Sequence, residues 1–413
     1  MVKALHPLGP ISSRLELPPE VRVPLEHDVD LPAGQNTLLT VADPAAAARR
    51  ALESPLKYPP LSEGVVPGDQ LAIALDEAVP DATNVVRGAI AAAEAAGIEP
   101  GAITVVACDE DFCKSLREGL GEAVRVVVHD PEDPENLALL GLNEKNERLL
   151  VNRSIFEADV VLPIGCARLS GVAGCGVFES LFPRLSDTET IGRLRTPSQW
   201  SSATRIAKSQ RKADEAGWLL GVALVVQVVP GADGTVAEVV AGDPRAVAER
   251  CQQLCEALWS FRVPQRASLV IANVTGGPQE QTWENIGRAL AAIEPLVEEG
   301  GAVAICSDLD AGPGHALGQL VGNSDFADVE RDVRNDHSPD SWPAWQLARA
   351  LQRGPVYFLS QLDTDDAEQM GLAPIDSIDE LARFASRQET CIVLDDSQFA
   401  VATVSDETEA GES

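Results

Sequence analysis

The sequence is short of positive charge, of aromatic rings and of histidine. Lys and Arg total 32 against 64 Asp and Glu, a formal net charge of −32 over 413 residues. A surface this acidic repels nucleic-acid phosphates and anionic lipid, so neither is an expected partner. Aromatics make up only 4% of the chain. The cores must then be packed with Ala, Val and Leu, as buried parallel sheets usually are. Of the five histidines, His6, His27, His315 and His337 stand in Pro-, Asp- or Gly-rich surroundings and read as surface residues. Long apolar runs are missing too: the longest, Trp218 to Pro230, is about a dozen residues and too short to span a bilayer. The opening MVKALHPLGP carries prolines where a secretory signal would carry its apolar core. The eight cysteines are irregularly spaced, without the density of a disulfide scaffold. A cytoplasmic chain with reduced thiols is expected. Cys251 and Cys255, four apart on an expected helix, read as core packing rather than as a redox pair.

What is present is a repeated strand-and-helix grammar. Gln70–Leu75, Ala102–Cys108, Val124–His129 and Ala158–Gly165 are apolar runs followed by polar loops, the mark of buried parallel strands. Helical spacing fits Ala82–Ala96, which stops at Gly97, and Asp111–Gly119. Trp218–Val229 and Val236–Val240, separated by Pro230-Gly231 and Asp233-Gly234, predict an antiparallel hairpin at the flank of the sheet. Asp243–Ser260 predicts an amphipathic helix leading to a second unit. There the pattern restarts. Strands are expected at Ala267–Val274, Ala302–Ser307, Pro355–Leu359 and Thr390–Leu394, and helices at Trp283–Gly300, Asp340–Arg353 and Ser377–Ser386. The fold class expected is α/β, with two doubly wound domains facing each other across a cleft. The division is residues 1–255, residues 256–404 and an acidic, disordered tail at 405–413.

In open α/β sheets ligands bind beyond the carboxyl ends of the strands. Those ends bring forward Asp76-Glu77, Cys108 through Asp111, His129-Asp130, Cys166 through Cys175 with Arg168, and the loop Thr275-Gly276-Gly277-Pro278. Asp76 and Asp111 are the candidate bases, and Asp76, Asp109 and Asp111 together have the chemistry to hold a divalent cation. They are equally the residues that cap helices and face water. Cys108, His129, Cys166 and Cys175 have the soft donors that suit zinc or nickel. They are scattered rather than paired as CxxC, and no metal is expected. The glycine-rich stretch GCARLSGVAGCG (165–176) matches neither phosphate-loop nor dinucleotide spacing.

Several stretches, in order along the chain, carry a resemblance. HDPEDPENLALLG (129–141) resembles the HDxxDPxNLxxLG stretch of the lactate racemase family, often called LarA-like. The segment 43–67, VNRSIFEADVVLPIG (151–165), SDTETI (186–191), AGDPRAV (241–247) and the TGGP loop (275–278) fit the same family. The resemblance implies two α/β domains around a cleft. In the active family that cleft holds a nickel-pincer nucleotide, which takes and returns a hydride from a 2-hydroxy acid. It also implies stations that this sequence fills differently. The substrate-binding arginine becomes Val79, the proton-accepting histidine is best matched by Asp111, and the second catalytic histidine by Leu169. The lysine that holds the pincer falls on Glu179, the nickel-ligating histidine near Arg195, and the lysine after the proline of the second domain on Gln279. No lysine or histidine lies between Ala167 and Thr204 to take over these roles. Nickel-pincer racemisation is therefore expected to be lost, with no cofactor in its place.

Three functions compete. A divergent enzyme would use Asp111 or Asp76 as base and Arg168 or Arg195 as carboxylate clamp. A non-catalytic relative would bind a small hydroxy acid or related carboxylate through the substituted positions Arg168, Glu179, Arg195 and Gln279. A scaffold protein would keep the cleft only as a vestige.

Overall fold

A computed structural model describes residues 9–15, 17–28, 40–142 and 146–405. The chain divides into two compact units. One comprises residues 37–194 and 201–255, the other residues 1–36, 195–200 and 256–413. Among the described residues, no helix is long and apolar enough to cross a membrane.

The first unit is built on a six-stranded sheet. Its strands are β1 (Leu71–Leu75), β2 (Ile103–Ala107), β3 (Arg125–Val128), β4 (Val160–Cys166), β5 (Val225–Pro230) and β6 (Val236–Gly242), in spatial order β3-β2-β1-β4-β5-β6. All neighbours are parallel except β5 and β6. β1 is buried at every position, which is why it reads as an unbroken apolar run rather than an alternation. The helices start where their caps dictate. Pro44 opens α1 (Pro44–Glu53) behind Asp43, whose carboxylate accepts the Ala46 N–H. Asp109 does the same for Phe112 at the head of α3 (Glu110–Leu120). Between them α2 (Ala82–Ala95) ends at Gly97, whose φ of +96° suits glycine.

In this unit two elements depart from expectation. The apolar run from Trp218 is not one strand: α4 (Ala203–Leu219) occupies its first residues, leaving Trp218 77% exposed, and β5 starts only at Val225. Leu137–Leu142 and Arg148–Asn152 form a separate antiparallel hairpin that the sequence reading passed over.

The second unit carries a five-stranded, all-parallel sheet of β7 (Ala267–Asn273), β8 (Val297–Cys306), β9 (Val356–Leu359), β10 (Ala373–Pro374) and β11 (Cys391–Leu394), ordered β10-β9-β8-β7-β11. The helix expected at Trp283–Gly300 stops at Ile293. Pro295 follows in a short 3₁₀ turn, and β8 already begins at Val297. The unit boundary falls inside α5 (Pro244–Trp259), between Cys255 and Glu256. The division 1–255 and 256–404 is nevertheless not continuous in the chain. Glu26–His27 pairs with Ser260–Val263, Cys391 exchanges backbone bonds with Val21 and Val23, and Asp395 accepts the N–H groups of Ile11 and Ser12. The first described residues thus belong to the second unit. Of the tail expected from 405, residues 406–413 lie outside the described residues.

Candidate functional site

Strand order reverses between β1 and β4 in the first unit, and a doubly wound sheet opens a crevice at such a point. Asp76 leaves the end of β1, and Arg168 stands just beyond the end of β4. The two meet: Arg168 Nη1 lies 3.4 Å from Asp76 Oδ2, with both side chains 1% exposed. Arg184 continues the chain of charges, 3.5 Å from Asp76 Oδ1 and 2.6 Å from Glu77 Oε2. Glu77 in turn accepts the Cys108 N–H, and the Cys108 thiol donates to the Arg184 carbonyl at 3.5 Å. Two guanidinium groups and two carboxylates therefore tie the ends of β1, β2 and β4 together, and their formal charges cancel.

Beside this network is a cavity of about 360 Å³ wholly within the first unit. The loop after β4 contributes Arg168, Ser170 and Cys175, β5 contributes Gln227, α4 contributes Gln210, and α5 contributes Cys251 and Gln252. Local sequence makes these contacts feasible. Gly165 is the register partner of Gln227 across β4 and β5, and a Cβ there would lie 2.5 Å from Gln227 Nε2. Its absence lets the Gln227 amide cross β4 and donate to the Val177 carbonyl at 3.3 Å. Gln210 donates to the Cys175 carbonyl at 3.2 Å and lies 2.8 Å from the Cys175 sulfur. Burial pushes the Cys175 thiol up to about 11, helped by the Glu179 carboxylate, and the Cys251 thiol up to about 12. Both stay protonated at neutral pH and are poor nucleophiles.

The anticipated residues fall into separate settings. Asp76 is held by two arginines and is not placed as a free base. Asp111 is exposed in the first turn of α3, where a carboxylate favours the helix N-terminus. Glu179 is half-buried near Cys175, while Val79 and Leu169 are buried apolar residues. Arg195 and Gln279 belong to the other unit. Arg195 is paired with Glu284 at 2.8 Å and lies 5.1 Å from the centre of the Trp200 ring, and Gln279 is half-buried after β7.

The soft-donor set Cys108, His129, Cys166 and Cys175 does not assemble: among the described residues no group of three or more His, Cys, Asp or Glu is placed to hold a metal ion. His129 is a structural residue. Its Nε2 is 2.7 Å from the Ser186 carbonyl and its Nδ1 is 3.1 Å from the Asn152 amide, so both ring nitrogens are engaged in the neutral form. Burial also lowers its pKa. His27, expected in a surface loop, is exposed but sits in the short strand against Phe261, ring centres 4.9 Å apart.

Sequence reasoning missed Arg184, Gln210, Gln227 and Gln252. Only Gln227 left a signal, as the one polar residue inside the buried strand VVQVVP.

The lactate racemase N-terminal domain matches residues 20–194. The lactate racemase of Thermoanaerobacterium thermosaccharolyticum is 24% identical over 300 residues, 69% of this chain and 69% of that protein. The structure of that organism's lactate racemase apoprotein superposes with a TM-score of 0.71 at 20% identity, covering 91% of this chain and 96% of the other. A protein from Thermotoga maritima superposes with a TM-score of 0.67 at 12% identity, covering 88% and 99%. Residues 20–194 thus match a lactate racemase N-terminal domain, and the chain shares its α/β fold with the lactate racemase apoprotein over most of its length.

Proposed function

We propose that this chain binds a small molecule built on the 2-hydroxy acid skeleton in the cavity beside Arg168, and that it has lost nickel-pincer racemisation. The observation that carries the reading is the cavity itself: mostly apolar in its lining, it sits at the carboxyl end of β4 and is walled by one buried arginine and three glutamines. The residues do not fit a covalently anchored pincer. Glu179 stands at the lysine station, and a carboxylate cannot supply the amine for an amide-like link. The imidazole ligands are missing from the segment, which contains neither lysine nor histidine from 168 to 203. Arg168 is the buried cation behind the cavity wall, held by Asp76 and by the carbonyls of Cys166 and Gly174. A cytosolic setting, where the eight free thiols stay reduced, belongs to the same reading.

Intact mass and metal analysis after co-expression with pincer-synthesis enzymes test it. The expected result is an unmodified mass with nickel far below one equivalent, together with a raised melting temperature in small 2-hydroxy acids or their derivatives. A covalent adduct with stoichiometric nickel would overturn the loss of pincer chemistry.

A further inference from the structure

The wall of the Arg168 cavity carries two side-chain amides with a fixed orientation, and its arginine is already ion-paired with Asp76. Gln227 and Gln210 each turn the amide nitrogen toward a carbonyl of the loop after β4, Val177 and Cys175 respectively. A carbonyl oxygen can only accept, so this contact fixes which end of each amide is the donor. Among the described residues, no donor is bonded to the amide oxygen of either glutamine. Both residues line the cavity, and Gln227 is only 2% exposed. An acceptor lining a cavity is satisfied by water or by a donor that a ligand brings in.

Charge points the same way. Arg168 and Arg184 are matched by Asp76 and Glu77. The other charged residue lining the cavity is Glu249, which is negative and paired with Arg245 at 3.2 Å. The thiols of Cys175 and Cys251 are neutral.

We infer that the cavity selects an uncharged, donor-bearing ligand, a 2-hydroxy amide in preference to the corresponding 2-hydroxy carboxylate. This rests on the reading that the cavity binds the 2-hydroxy acid skeleton, and it specifies the derivative. A carboxylate brings acceptors to the two amide oxygens and adds a charge that the paired Arg168 and Asp76 do not neutralise. An amide of the same size offers N–H and O–H donors to the oxygens of Gln210 and Gln227 without adding a charge.

Isothermal titration of the full chain with lactamide and, separately, with lactate at one pH and salt concentration tests the inference. Lactamide is expected to bind at least about tenfold more tightly. Gln210→Leu, a half-buried helix position whose fold is checked by thermal melting, should weaken lactamide about five- to tenfold and so close most of its gap to lactate. Gln210→Glu keeps the shape and should weaken lactate further. Lactate binding as tightly as lactamide, or more so, would overturn the inference while leaving a hydroxy acid site in place. Tighter lactamide binding that is indifferent to both Gln210 variants would overturn the assigned contact. Binding of neither probe would overturn both this inference and the functional reading beneath it.

Discussion

Glu280 shows how far one side chain can be moved from its behaviour in water. Burial raises its carboxyl to about 7 from 4.5, opposed by hydrogen bonds from the backbone of Gly277 and of Glu280 itself. Its side chain folds against Gly276, where a Cβ would come within 2.9 Å of Glu280 Cγ and the φ of +99° favours glycine. Because the folded value lies above the unfolded one, the stability gained from burying the neutral acid is complete below about pH 4.5. It is lost as pH rises toward 7. Glu280→Gln keeps the shape and removes the titration. Urea unfolding should find the variant about 3 kcal/mol more stable than the parent at pH 8 and equal to it at pH 4. Arg184 is the opposite case, a cation enclosed by two acids. Arg184→Met strands Glu77 without its partner and should cost about 3–5 kcal/mol in the same assay. Adding Glu77→Gln to that variant should recover part of the loss; a double variant as unstable as the single one would mean that packing, not charge, dominates.

At the scale of elements, α4 is brought to the cavity by a close approach at Gly217, where a Cβ would lie 2.6 Å from the Phe178 ring. Alanine has the higher helix propensity by about 1 kcal/mol, yet Gly217→Ala should destabilise the protein by about 1–3 kcal/mol, because the helix must shift off the ring. Thermal melting decides between the two effects. The same helix shows where sequence reading ends. Only Ile206, Ala213, Ala216 and Gly217 are buried among its 17 residues, so its apolar stripe is too thin to register as a period. β1, β2 and β4 were legible because both faces are covered and nearly every position is apolar. The β8 boundary was not, since Val297-Glu298-Glu299-Gly300 alternates too little to separate strand from helix. Within the site, the carboxyl-end residues Asp76, Arg168 and Cys175 follow from strand placement alone. Gln210 and Gln252 reach the cavity from helices far along the chain, and no local pattern marks them.

For the whole molecule, a net charge of −32 sets the dominant long-range term. Carboxylates repel one another across the surface, and compaction works against that repulsion. Raising salt from about 0.01 to about 1 M shortens the screening length from about 30 to about 3 Å. The melting temperature should rise with it, and a flat or falling profile in calorimetry would assign the stability to ion pairs instead. The overall α/β class follows from the order of strands and helices. The membership of the first residues does not, because their partners lie at the far end of the chain. Ile11 bonds to Asp395 across 384 positions of sequence. That contact has a consequence for synthesis. Residues 37–194 and 201–255 are all made before the ribosome reaches the second unit's sheet, so the first unit can close while translation continues. Ile11, Leu15 and Val21, buried in the finished protein in a cluster that runs from Leu269 to Val393, lack these partners until the second unit's sheet emerges. Nascent chains halted before that point would carry an apolar leading segment exposed for the whole of elongation, open to chaperones and to proteases.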